Sequence, residues 1–146
     1  MNKQVGAIIL AGSVLMAHSA SSGQEAAKGN GTAATAMDKA AVGKAAWEDS
    51  SCSGCHGTRG QGGSSADLPA GPNLRRSELT RQRLIEATSC GVPGTVMAAW
   101  RSGAYTELKC YGKSLGEPPA EVAVIGSLSQ AQIEAVIDYI QNDLAN

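Results

Sequence analysis

Phenylalanine is absent from the sequence, and two Trp and three Tyr bring the aromatic share to only 3%. Few bulky side chains are therefore available to close a core, although the chain is 42% hydrophobic and has 18 Gly. Its 146 residues suit one domain of ordinary size with a short leader. A large apolar cofactor would supply some of the missing core. Beyond residue 17 no apolar run is long enough to cross a bilayer, which excludes an integral membrane segment in the mature chain. Lys and Arg are missing after Lys113, a stretch that holds five acidic residues, whereas Arg59–Lys113 has eight basic residues against four acidic. The basic section has no interleaved aromatics and the pI is about 6.1, so nucleic acid is not a partner to expect. Cysteine and histidine are scarce too, at four and two.

What is present begins with a leader. Val5–Ala17 is an uncharged apolar run of 13 residues behind a single Lys, followed by the small residues HSASSG. This pattern predicts a secretory signal peptide over residues 1–20, hence a periplasmic mature protein. Residues 21–37, rich in Ser, Gly, Ala and Thr, read as a disordered linker. The folded domain then spans 38–146. A first helix is predicted from Asp38 to about Ser50, and a second begins between Ser77 and Thr80 and is ended by Gly91 and Pro93. In the last helix Ser129 and Gln132 have capping-box spacing, and Ile133, Val136, Ile137, Ile140 and Leu144 share one face. Period-two alternation is rare, so the expected fold class is all-α. Residues 56–76 and 101–127 are long, irregular and rich in Gly, Pro and Ser, as in segments that wrap something.

The chemistry concentrates in SCSGCHG, where Cys52 and Cys55 are followed at once by His56. A structural zinc site needs four ligands, and Cys90 and Cys110 lie far away with no second knuckle. A redox dithiol of the thioredoxin kind needs a strand before the motif and a helix opening at it, whereas here a helix ends there. Covalent haem attachment accounts for every element: two thioethers from Cys52 and Cys55, and His56 carried to the iron. The cofactor expected is one haem c.

AVGKAAWEDSSCSGCHG resembles the first helix and haem site of class I cytochromes c, with Gly43 and Trp47 at the family's Gly and aromatic positions. IDYI (Ile137–Ile140) resembles the family's last helix. The resemblance implies three to four short helices around the haem, a close crossing of the first and last helices at Gly43, and packing of Trp47 with Tyr139. GPNL (Gly71–Leu74) resembles the segment whose proline carbonyl, here that of Pro72, accepts the N–H of the iron-bound imidazole. GVPGTVMAAW resembles the methionine loop, which makes Met97 the second axial ligand beside His56. Ala98 stands where the family commonly has proline. The haem uses two cysteines of an exported chain, so Cys90 and Cys110 are expected to form a disulfide.

The function that follows is a monomeric electron carrier without enzymatic activity. An exported dehydrogenase would be its donor, and a terminal oxidase or another cytochrome its acceptor. Cys90, Cys110, Tyr105 and CYG resemble cytochromes that accompany periplasmic quinoprotein dehydrogenases. The basic residues of 59–113 are expected to rim the haem edge. Two other readings stand beside the carrier: a haem subunit built permanently into a larger complex, and a peroxidase-like haem enzyme with Met97 displaced.

Overall fold

The computed structural model describes residues 31–63 and 66–145, with side chains from Asp38 onward. The expected signal peptide, and the linker up to residue 30, lie outside the described residues. Among those described, four α-helices occur: α1 (Gly31–Asp49), α2 (Cys52–His56), α3 (Arg81–Cys90) and α4 (Gln130–Tyr139). A π-helical turn, Ile140–Leu144, continues α4.

α1 starts seven residues before the expected boundary, at Gly31. Its first turns read GTAATAM, and alanine has the highest helix propensity, so a stretch poor in core residues still extends the helix. Between α1 and α2 the chain turns at Ser51, which takes a left-handed conformation (φ 54°). α3 is capped by the Thr80 hydroxyl, which accepts from the Arg83 amide, and ends at Gly91 (φ 67°). α4 has the capping box of Ser129 and Gln132, and Ile133, Val136, Ile137, Ile140 and Leu144 are all buried.

The described residues are not all-α. Strands β1 (Ala99–Arg101) and β2 (Val124–Leu128) form a two-stranded parallel sheet, with Ala99 opposite Val124 and Arg101 opposite Leu128. Val124 and Ile125 stay exposed on this small sheet, so β2 lacks the inward-outward alternation by which a strand is read from sequence.

One core cluster joins Ala46 and Trp47 of α1, Leu84 and Ile85 of α3, Leu128 of β2 and the buried face of α4. Each fully buried aliphatic side chain there contributes roughly 1.5–3 kcal/mol. A second cluster, with Cys90, Ala99, Ala104, Tyr105, Cys110 and Val122, holds the segment between the two strands. Asp138 of α4 ties the three long helices together, pairing with Lys39 of α1 and Arg81 of α3 at 2.7 Å each.

Candidate haem-binding site

α2 is a single helical turn, which sets Cys52, Cys55 and His56 on neighbouring positions. The chain then doubles back: the Gly71 amide donates to the Cys55 carbonyl at 2.7 Å, and the Gly62 amide to the His56 carbonyl at 2.7 Å. Gly71 has to be glycine, because a Cβ there would lie 2.7 Å from His56 Nδ1 and 2.9 Å from the Cys55 carbonyl oxygen. That approach carries Pro72 to the imidazole, and His56 Nδ1 lies 3.0 Å from the Pro72 carbonyl oxygen. A carbonyl only accepts, so Nδ1 carries the proton and Nε2 keeps its lone pair for a metal.

Cys52, Cys55, His56, Pro72 and Met97 all line one cavity of about 360 Å³. Its walls come from all four α-helices, with Trp47 of α1, α2 itself, Leu84 of α3 and Val136 and Ile137 of α4, and from Ile140 of the turn that continues α4. No Asp, Glu, Lys or Arg lines it. None of the basic residues expected around the haem edge lines the cavity itself, and Arg81 and Arg83 are paired with Asp138 and Glu86. Trp47 does not form a ring contact with Tyr139 among the described residues. Its ring lies against His56, with centroids 6.3 Å apart, and Tyr139 packs at the edge of the core.

Met97 is held by a compact loop. The Val92 amide donates to the Met97 carbonyl at 2.9 Å, and the Met97 amide donates to Thr95 Oγ1 at 3.1 Å. Cys90 and Cys110 are joined by a disulfide, so neither is a thiolate ligand. Among the described residues no group of three His, Cys, Asp or Glu can hold a metal. Burial pushes the Cys52 thiol up to about 11 against its backbone hydrogen bond, and Cys55 adds a smaller upward push. A redox dithiol works through a lowered thiol pKa, so Cys52 has the opposite character.

The donor set and the cavity fit a haem: two thiols, an imidazole and a thioether around an uncharged space. Arg75 Nε and Arg101 Nε and Nη1 are buried without a hydrogen-bond partner, and each residue follows one that lines the cavity, Leu74 or Trp100. Buried guanidinium N–H groups need acceptors, and the carboxylates of a haem have that chemistry. Sequence reading missed Trp100, although a Trp three residues beyond Met97 was its available signal.

The family model described as "Cytochrome C oxidase, cbb3-type, subunit III" matches residues 38–108, a little under half of the chain. The match spans Cys52, Cys55, His56, Pro72 and Met97 and stops short of Cys110. Among curated proteins and among solved structures, none matches. Fold, cavity and family match together support haem-based electron transfer. The match supports a class I c-type cytochrome domain over these residues, and such a domain implies covalently bound haem c.

Proposed function

We propose that this cytochrome is a periplasmic carrier of single electrons, holding one haem through thioethers at Cys52 and Cys55. His56 Nε2 and the Met97 sulfur would hold its iron. The bound haem supplies one-electron storage at iron. The protein's own part is to hold both ligands and keep water out. The Pro72 carbonyl orients the His56 ring. The observation that carries this reading is the single uncharged cavity on which all five residues converge. The donor is an exported dehydrogenase, and the acceptor is a terminal oxidase or another cytochrome. Residues 1–20 serve as the export signal.

One experiment tests the ligand set. The purified holoprotein should weigh one haem more than its chain, and its oxidised form should show the weak long-wavelength absorption of a methionine-ligated haem. Met97→Ala should abolish that band and lower the potential. A band that survives removes Met97 from the site.

The family name favours a second reading, a haem subunit built into an oxidase-like complex. Gel filtration of native extract separates the two, since a free carrier elutes near its own mass of 14.8 kDa or below. A peroxidase-like role lacks support in the lining, where His56 is the lone imidazole and no carboxylate appears.

A further inference from the structure

Two tyrosines reach the same place from the segment between β1 and β2. Tyr105 donates its hydroxyl hydrogen to the Cys90 carbonyl at 2.9 Å, and Tyr111 donates to the Gly91 carbonyl. These consecutive carbonyls end α3 and open the loop that leads to Met97. Carbonyls at a helix C-terminus lack intrahelical partners, so what satisfies them decides how firmly the following chain is aimed. Here the partners belong to a lobe that is itself stapled to Cys90 by the disulfide from Cys110.

Both tyrosines sit in the left-handed region, with φ of 68° for Tyr105 and 53° for Tyr111. Among the described residues only Ser51 joins them there without being glycine. Residues with a Cβ avoid this region, and they persist in it where surrounding contacts over-determine them. For Tyr111 those contacts are visible. Its backbone amide donates to Glu86 Oε1 at 3.1 Å, and the other Glu86 oxygen accepts from Arg83 at 2.6 Å.

The loop carries the constraint onward. Thr95 Oγ1 donates to the Val92 carbonyl at 2.7 Å and accepts from the Met97 amide, and the Val92 amide holds the Met97 carbonyl. Residues 92–97 thus form one hydrogen-bonded ring, anchored on one side at the carbonyls of 90 and 91 and on the other by β1, where the Ala99 amide donates to the Ala123 carbonyl at 2.8 Å. Ala98 follows Met97, so no proline stiffens the far side.

We propose that Tyr105 and Tyr111 are positioning residues for Met97, clamping the base of its loop so that the thioether stays at the iron. The inference rests on the reading of Met97 as an axial ligand. It concerns a lobe that continues past the family match, which ends at residue 108. Burial raises both tyrosine hydroxyls above their usual range, so they remain donors into alkaline solution.

The test uses haem-loaded protein carrying Tyr105→Phe, Tyr111→Phe, or both, which removes the hydroxyls and keeps the rings. Two readouts report the iron: the pH at which the methionine band is lost, and the rate at which cyanide binds the oxidised protein. In the double variant the band should disappear about one pH unit lower, and cyanide should bind about tenfold faster, as for two lost hydrogen bonds. The single variants should fall between, and Tyr139→Phe should match wild type. Unchanged pH and rate in the double variant would overturn the proposal, and if that variant does not accumulate, unchanged single variants do the same. Hydrogen exchange at the Val92 amide reports the clamp without the iron. If Met97→Ala leaves the band intact, the axial-ligand reading fails and the role at iron fails with it. The clamp is then judged on exchange alone, where faster exchange in the double variant supports it and unchanged exchange refutes it.

Discussion

Gly43 of α1 meets the backbone of Ala135 on α4 so closely that a Cβ on Gly43 would lie 2.2 Å from the Ala135 carbonyl oxygen. The same Cβ would come within 2.9 Å of the Tyr139 Cβ. Backbone and Cβ atoms cannot swing aside as a side-chain end can. The crossing of the first and last helices, which forms one wall of the haem cavity through Trp47, Val136 and Ile137, depends on this absent methyl group.

Gly43→Ala should therefore push the two helices apart. Overpacking of this kind costs about 1–3 kcal/mol, which outweighs the helix propensity gained by alanine. Guanidinium unfolding of the holoprotein should show a lower midpoint. An unchanged or higher midpoint would mean that α1 can shift freely at this contact.

Gly71→Ala should act on His56, the proposed iron ligand. The new Cβ falls against His56 Nδ1 and Cε1, so the ring must turn and its bond to the Pro72 carbonyl is lost. That bond raises the basicity of the imidazole, and a weaker donor favours reduced iron. The reduction potential should rise in a redox titration. Pro72→Ala keeps the carbonyl and should change the potential far less.

Asp138 predicts a pH signature of stability. The hydrogen bond from Arg81, with help from Lys39, holds its carboxyl below the usual range despite partial burial. A depressed pKa stabilises the fold above the unfolded value near ~3.9, and that contribution is lost as pH falls through the folded value. The Lys39 and Arg81 side chains are about half exposed, so the two bridges together are worth only about 1 kcal/mol. Asp138→Asn should be less stable than wild type at neutral pH and match it in acid below both pKa values. A constant gap across that range would assign the loss to packing.

The disulfide predicts a separable effect. Cys90 and Cys110 are 20 residues apart, and opening a loop of that size costs about 3 kcal/mol by chain entropy. The Cys90→Ser, Cys110→Ser double variant should unfold at lower denaturant and still carry its covalent haem, because Cys52 and Cys55 are untouched. Loss of the haem would place the disulfide upstream of attachment.

The motif of Cys52, Cys55 and His56 was legible as a candidate haem site because its three residues stand in a fixed order within one helical turn, and the structure brings them to one cavity with Met97. The last helix was legible for a related reason: its cap and its buried face repeat at 3.6 residues, a period that survives without knowledge of neighbours. β2 was not legible, because a strand held by only one partner leaves Val124 and Ile125 exposed and alternates with nothing. The start of α1 at Gly31 was lost for a different reason, since alanine-rich sequence suits linker and helix alike.

The local order of residues determined the attachment motif, the helix caps and the loop that bears Met97. Only the tertiary structure decided where Trp47 points, which guanidiniums are paired, and that Tyr105 and Tyr111 converge on carbonyls 90 and 91. Those contacts join residues far apart in the chain and depend on backbone conformations, such as positive φ at tyrosine, that no residue type announces.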